Sequence, residues 1–141
     1  MVAGALTLGG AALIALGSAL PWAEAQVGSH AVSKSGIDGD GTITIALAAF
    51  VVACFVALPK SRRLGVLVAV FAAAAGAVAL HNIIDVSQKA DDLVKTSTAA
   101  APVSAGVGIG SWITLGAAVI TFVGGLALVA AAPKRSDAAP A

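Results

Sequence analysis

The chain has 141 residues, of which 59% are hydrophobic and only 11% are charged, and its formal net charge is +1. Soluble domains average about 45–50% apolar and about 25% charged residues, so a chain this short cannot hide so much apolar surface in a water-soluble core. Lipid is therefore the expected solvent, and the missing basic surface excludes nucleic-acid binding.

Four apolar runs predict four transmembrane helices, at residues 2–20, 42–58, 64–80 and 111–132. Each run has about 17–22 residues, and a helix needs roughly 20 to cross the hydrocarbon. The runs lack the in–out alternation of barrel strands. We therefore expect an all-α fold, a single four-helix membrane domain over residues 1–132, followed by a disordered cytoplasmic tail at 133–141.

The first run ends at Pro21-Trp22 and is followed by Ala23-Glu24-Ala25. This tripeptide has the A-x-A form of a signal-peptidase site, so a cleaved signal peptide at 1–25 is one alternative. However, no basic residue precedes the run, and the run is long for a signal core. These two features favour a retained first helix, and cleavage stays open.

The next connection contains SGIDGDGTIT at residues 35–44, which resembles part of an EF-hand loop. Asp38 and Asp40 would take loop positions 3 and 5. Position 1 falls on Gly36, which has no ligand, and position 12 falls on Leu47, where the loop needs a bidentate Glu. A turn followed by Asp40 as the cap of the second helix is the plainer interpretation.

Basic residues predict the orientation in the membrane. They cluster between the second and third helices and in the tail, at Lys60, Arg62, Arg63, Lys134 and Arg135. Cytoplasmic loops are enriched in Lys and Arg, so we expect both termini in the cytoplasm and the connections 21–41 and 81–110 outside. Trp22 and Trp112 would then both lie at the outer interface, where indole rings prefer to lie.

The third helix is expected to continue past the membrane to residue 97. Apolar residues keep helical spacing beyond its membrane part, at Ile83, Val86, Ala90, Leu93 and Val94. Asp85 and Lys89 form an acid-before-base pair at i, i+4, which suits a solvated helix face. Residues 99–110, rich in Ala and Gly, predict a flexible return to the fourth helix.

Candidate chemistry is sparse. No ionisable residue lies near the middle of a predicted span, and no hydrolase, metalloprotease or phosphate-binding motif occurs, so we expect no enzyme activity and no cofactor. His81 and Asp85 at i, i+4 have a spacing that can chelate a metal. A third ligand would come from His30, Asp38 or Asp40. An interfacial histidine beside a solvated acid explains the pair without a metal, and calcium or another divalent cation stays an alternative.

Three features resemble small uncharacterised four-span membrane proteins of actinobacteria, the high-GC Gram-positive bacteria. They are a first helix ending in Pro-Trp, an outer loop closing on G-x-DGDG-x-I-T, and an Asn- and Asp-containing outer stretch after the third helix. The topology is also similar to the claudin and tetraspanin plan, without the outer-loop cysteines of those families. The resemblance implies a four-span architecture and no established activity.

We therefore expect a non-enzymatic accessory or scaffold subunit of a larger plasma-membrane complex, in contact with lipid and with other membrane subunits or copies of itself. One alternative is a small oligomeric transporter or channel whose path is lined by Thr7, Thr44, Thr114 and Thr121. Another is an outer-face sensor or metal-binding module. The expected partner contacts are Trp22, Glu24, Asp38, Asp40, His81, Asp85 and Trp112.

Overall fold

The computed structural model describes residues 2–58, 61–96 and 103–132. Four helices lie within these ranges: α1 Val2–Ala19, α2 Gly41–Ala57, α3 Arg62–Thr96 and α4 Ile109–Ala131. Their ends fall within two residues of the predicted ones. Three of them, α1, α3 and α4, are long and apolar enough to cross a membrane, whereas α2 is an apolar helix of 17 residues. The tail predicted for 133–141 lies outside the described residues.

The third helix is the longest element. It has 35 residues, which at 1.5 Å per residue gives a length of about 52 Å. A bilayer has a hydrocarbon thickness of only about 30 Å. The prediction that this helix continues well past its apolar part is confirmed.

A small antiparallel sheet corrects the expectation of an all-α fold. Its strands are β1 Pro21–Val27, β2 His30–Ser35 and β3 Val103–Val107, in the order β2-β1-β3. The flexible return predicted for 99–110 is therefore wrong for its described part, because β3 pairs with β1 from Val103 to Val107. The sheet pairs backbone N–H and C=O groups of the connections between the helices.

A two-residue turn closes the β1–β2 hairpin, because Val27 pairs directly with His30. Gly28, the first residue of this turn, has a φ of 58°, in the left-handed region that favours glycine. Glycine at this position is typical of type II′ hairpin turns, whose twist matches that of the strands.

The helices bury small and hydroxyl-bearing residues around a short apolar core that includes Ile14, Val51, Leu64 and Val68, and they turn many large apolar residues outward. Six hydroxyl side chains are completely buried: Thr7, Ser18, Thr44, Ser111, Thr114 and Thr121. By contrast, Val56 is 79% exposed, and Phe50 and Val119 are each 57% exposed. Such outward apolar surface is unfavourable in water and favourable in lipid, so the pattern is that of a membrane-embedded bundle.

Candidate functional site

One end of the bundle carries a unit that we call the head, defined as strands β1, β2 and β3 together with residues 81–96 of α3. Helix α1 leads into β1 and β3 leads into α4. The last part of α3 packs against the sheet, with Ile83 and Ala90 each only 7% exposed. The opposite end of the bundle, where α3 begins at Arg62, is called the far end.

Trp22 joins the head to the bundle. Its indole is 2% exposed, and its Nε1 donates a hydrogen bond to the carbonyl of Gly17 at 3.0 Å. The carbonyl of Trp22 accepts from the N–H of Gly108 at 2.9 Å and from the hydroxyl of Ser111 at 3.4 Å. The same hydroxyl lies 3.2 Å from Oδ1 of Asn82. These bonds link α1, α3 and α4 to the sheet.

The SGIDGDGTIT stretch packs directly beneath this indole. A Cβ on Gly36 would lie 2.5 Å from Nε1 and 2.7 Å from Cε2 of Trp22, so no larger residue fits without displacing the ring. The N–H of Gly36 donates to the carbonyl of Leu20 at 3.1 Å. The N–H of Ile37 donates to the hydroxyl of Ser35 at 3.1 Å, which starts a single 3₁₀ turn over Gly36–Asp38. The predicted turn is confirmed, and its first glycine serves packing.

Asp40 occupies the position immediately before α2, as predicted, but its side chain accepts no hydrogen bond from the helix N-terminus. Its backbone is already helical, with φ −65° and ψ −12°, whereas a capping residue normally has extended backbone angles that direct its side chain back to the free N–H groups. The hydroxyl of Thr42 instead donates to the carbonyl of Gly39 at 2.7 Å. The predicted cap by the carboxylate of Asp40 is wrong.

The candidate metal ligands are spread over three parts of the chain. Within residues 2–58, 61–96 and 103–132, no three His, Cys, Asp or Glu side chains come together in a group that could hold a metal ion. The five metal ligands predicted from the sequence are His30 on β2, Asp38 and Asp40 before α2, and His81 and Asp85 on α3. The carboxylate of Asp85 pairs with Nζ of Lys89 at 2.6 Å, which confirms the predicted i, i+4 pair. The geometry therefore gives the metal-binding alternative no support.

The threonines predicted to line a transport path are closed off within this chain. Thr7, Thr44 and Thr121 each donate a hydrogen bond to a carbonyl of their own helix, at 3.0, 2.8 and 2.9 Å. Thr44 also contacts the hydroxyl of Ser18 across the α1–α2 interface. The hydroxyl of Thr114 is buried without a hydrogen-bond partner among the residues that the structure describes. All four side chains have zero exposure, so none of them lines a water-accessible path through a single copy.

Glycines on α1 and α4 explain why three of these threonines, those on α1 and α4, are closed off. The two helices run antiparallel, and each contact sets a glycine against a threonine: Gly10 against Thr121, Gly17 against Thr114, and Gly124 against Thr7. A Cβ on Gly17 would lie 2.5 Å from Thr114 Oγ1 and 2.8 Å from Thr114 N. We call these contacts the glycine–threonine seam. It brings the two backbones into direct contact, as small residues do in membrane helix pairs.

The head contains an apolar groove of about 200 Å³ between the sheet and α3. The strands contribute Ala23, Ala25, Val32, Lys34 and Ala105 among its lining residues, and the helix contributes Val86, Lys89, Ala90 and Leu93. In the β1–β2 ladder, Ala25 is paired with Val32 and Ala23 with Lys34, which places these four side chains on one face of the sheet. The opposite face carries small and polar residues around a hollow of about 290 Å³ that includes Glu24, Gln26, Ser33 and Ser104.

Helix α3 covers the groove face of the sheet, which carries Ala23, Ala25, Val32 and Lys34, only in part. It packs on β3 and β1, whereas β2 projects beyond it. The side chains of Val32 and Leu93, which line the groove, are 69% and 54% exposed, and Val27 at the hairpin end is 47% exposed. In the part of the chain that the structure describes, the head therefore leaves apolar surface and a sheet edge uncovered.

The predicted partner contacts are distributed unevenly. Glu24, Asp38, Asp40 and His81 are exposed, and Asp85 is partly exposed in its pair with Lys89. Trp112, at 53% exposure, lies on the outside of α4 near the head. Trp22 is enclosed by residues of this chain, so its prediction as a partner contact is wrong for the folded protein. Its ring is needed for packing and is not offered to a partner.

Sequence reasoning missed the residues of the groove, Val32, Lys34 and Leu93. A usable signal was present, because Gly28-Ser29 separates two short segments, and a Gly-Ser pair at that spacing is typical of a hairpin. The preceding segment also alternates small or apolar residues at Ala23, Ala25 and Val27 with polar ones.

A comparison with models of known protein families finds no match, and a comparison with curated proteins finds no relative. The likeness to actinobacterial four-span proteins thus stays a prediction.

Proposed function

We propose that this chain is a four-span plasma-membrane protein that acts as a non-enzymatic accessory or scaffold subunit, with its head on the outer side. The observation that carries the proposal is a contrast between the bundle and the head. The threonines of the bundle are buried, whereas the head has exposed apolar residues and an edge strand, β2, with one unpaired side in the described part of the chain. Because the threonines inside the bundle are buried, they are not accessible to a substrate or to a transported solute. An uncovered apolar surface on a part that stands in water typically marks a binding site.

Chain connectivity supports α2 as the fourth span. Helix α1 ends at the head, and α3 runs from the far end to the head, so α2 has to run from the head to the far end. At 17 residues α2 is about 25 Å long, a few ångströms short of the hydrocarbon thickness. Bilayers accommodate such a mismatch by local thinning or by tilting of the neighbouring helices.

The distribution of charge supports a cytoplasmic far end. Arg62 and Arg63 stand at the start of α3, and the sequence places Lys60 beside them. The head and the start of α2 carry six acidic residues and three lysines: Glu24, Asp38, Asp40, Asp85, Asp91 and Asp92, with Lys34, Lys89 and Lys95. Since cytoplasmic segments are enriched in Lys and Arg, both termini are assigned to the cytoplasm and the head to the outside.

Blue-native electrophoresis of native membranes solubilised in mild detergent tests the accessory role. The proposal predicts that the protein migrates in a complex larger than its own monomer and that defined subunits co-migrate with it. Migration only as a free monomer contradicts the proposal.

The oligomeric transporter or channel remains the alternative and is distinguished by flux. Liposomes reconstituted with the pure protein should show no flux of ions or small solutes above that of empty liposomes, because the candidate threonines are enclosed by neighbouring helices. Measurable flux through the pure protein would favour the alternative.

A further inference from the structure

We propose that the free edge of β2 binds an extended segment of a partner protein, which adds a fourth strand to the sheet and places an apolar side chain with a neighbouring carboxylate beside Lys34. The inference rests on the proposed accessory role and specifies the class of partner that the head binds. Three observations carry it: the open edge, the partly covered groove and the free lysine.

The edge of β2 is open within residues 2–58, 61–96 and 103–132. Among the strands of these ranges, the sheet order β2-β1-β3 leaves β2 with a neighbour on one side only. An edge strand presents a row of N–H and C=O groups that an added strand can pair with, and proteins usually block such edges with proline, bulges or charge. The strand HAVSKS has no proline, and its lysine, Lys34, lies together with the ladder irregularity at the Ser35 end, away from Ala31–Ser33. Main-chain pairing at an open edge is an established mode of peptide recognition.

The groove provides a place for a side chain of the added strand. Residues of β2 on the groove face are His30, Val32 and Lys34, because they pair with residues of β1 that point the same way. Next to Val32 lie Val86, Ala90 and Leu93 of α3. An apolar side chain entering here covers surface that α3 leaves open.

Lys34 specifies the charge of the segment. It lines the groove and has no ion partner in the part of the chain that the structure describes, whereas Lys89 is paired with Asp85. A carboxylate placed opposite a free lysine on a neighbouring strand is stabilising, and a like charge there is destabilising. The segment is therefore expected to carry Asp or Glu next to its apolar residue.

The same charges favour a different protein over a second copy of this chain. If two β2 strands paired antiparallel about Val32, His30 of one copy would oppose Lys34 of the other. The strand carries no acidic residue to compensate. Self-pairing through this edge leaves both lysines without a carboxylate.

Site-specific photocrosslinking in cells tests the proposal on the full chain. A benzophenone amino acid replaces Val32 in one protein and Ser104 in a matched control, because Ser104 is also exposed but lies on the opposite edge strand. The expected result is a cross-link from position 32 to a segment of another protein that carries Asp or Glu within two residues of an apolar residue, with at least about fivefold less of this product from position 104. Cross-links only to a second copy or to lipid, equal yields at both positions, or a mapped segment without an acidic residue would overturn the proposal.

Charge variants at Lys34 give the second readout. In the position-32 protein, Lys34→Glu is expected to lower the cross-link yield about fivefold, and Lys34→Arg to leave it within about twofold. Equal yields from both variants overturn the role of Lys34. Thermal unfolding in detergent is the control for folding. Replacing Lys34, whose side chain is exposed and has no ion partner in the described residues, should leave the unfolding midpoint unchanged.

Failure of this inference is distinguishable from failure of the accessory role. A large complex that persists on blue-native gels when position 32 or Lys34 is changed rejects the strand site and leaves the accessory role in place. A wild-type protein that runs only as a monomer rejects the accessory role itself.

Discussion

The bundle and the head of this protein are stabilised in different ways. Between the helices, glycine, alanine and threonine bring backbones into contact around a few buried apolar side chains such as Ile14 and Leu64, and many other large apolar side chains point outward. In the head, strand residues alternate between two faces, and one apolar face packs on α3. Lipid gives no hydrophobic gain for burying leucine or valine between helices, so close packing drives association there, whereas the head depends on covering apolar surface from water.

This difference indicates where each kind of residue acts. Polar groups inside the bundle, such as Thr7 and Thr121, are bonded to their own helices and serve packing. Polar and apolar groups of the head, such as Lys34 and Val32, are exposed and have no comparable role in the fold. Substitutions should therefore affect stability most at Trp22 and the glycine–threonine seam and least on the head surface.

Substitutions of the two tryptophans should give the largest difference in unfolding free energy. Trp22→Ala removes a ring that is 2% exposed, and such substitutions cost about 3–5 kcal/mol of unfolding free energy. Trp112→Ala removes a ring that is 53% exposed and should change it by about 0.5 kcal/mol or less. Thermal unfolding in mild detergent, followed by circular dichroism, compares the two. Equal losses would contradict the assignment of Trp22 as the link between bundle and head.

Neighbouring glycines on α1 give the next largest effect. A Cβ on Gly10 would lie 3.0 Å from Thr121 N and 3.1 Å from the carbonyl of Ala117, whereas nothing lies within 4 Å of one on Gly9. Gly10→Ala should therefore cost about 1–3 kcal/mol through overpacking. Gly9→Ala should cause no loss of unfolding free energy, because alanine has a higher helix propensity than glycine. The same unfolding measurement applies, and a stable Gly10→Ala variant would show that the seam is not tightly packed.

The smallest expected effect lies on the head surface. Asp85→Asn removes the ion pair with Lys89, whose side chains are 42% and 71% exposed. Exposed pairs contribute about 0–1 kcal/mol and are screened by salt. The unfolding midpoint should fall slightly at low ionic strength and match the wild type at about 1 M salt, where the Debye length is about 3 Å. A large loss that persists at high salt would mean that Asp85 has a further role in the fold.

The helices were predictable because each is a long continuous apolar run. The extension of α3 was also predictable, since Ile83, Val86 and Ala90 keep helical spacing and Asp85 and Lys89 suit a solvated face. The predicted helix ends lie within two residues of the observed ones, because proline or charged residues mark where most of the hydrophobic runs stop.

The sheet was not predictable to the same degree. Strand β3 pairs with β1 across about 80 residues of sequence, and its Val-Ser-Ala-Gly-Val segment has little strand character of its own. Only the ladder with β1 and the cover from α3 make it a strand. The burial of Trp22 escaped prediction for the same reason, since an indole after an apolar run is also typical of a membrane interface.

The placement of the head outside the cell is tested most directly by cysteine labelling. In a Cys54→Ala background, Ser33→Cys places a thiol on the exposed strand β2 and Ser61→Cys places one at the far end, beside α3. A membrane-impermeant maleimide is added to intact and to permeabilised cells. With the head outside the cell, position 33 should be labelled in intact cells and position 61 only after permeabilisation. The reverse pattern, or labelling of both positions in intact cells, would contradict this placement.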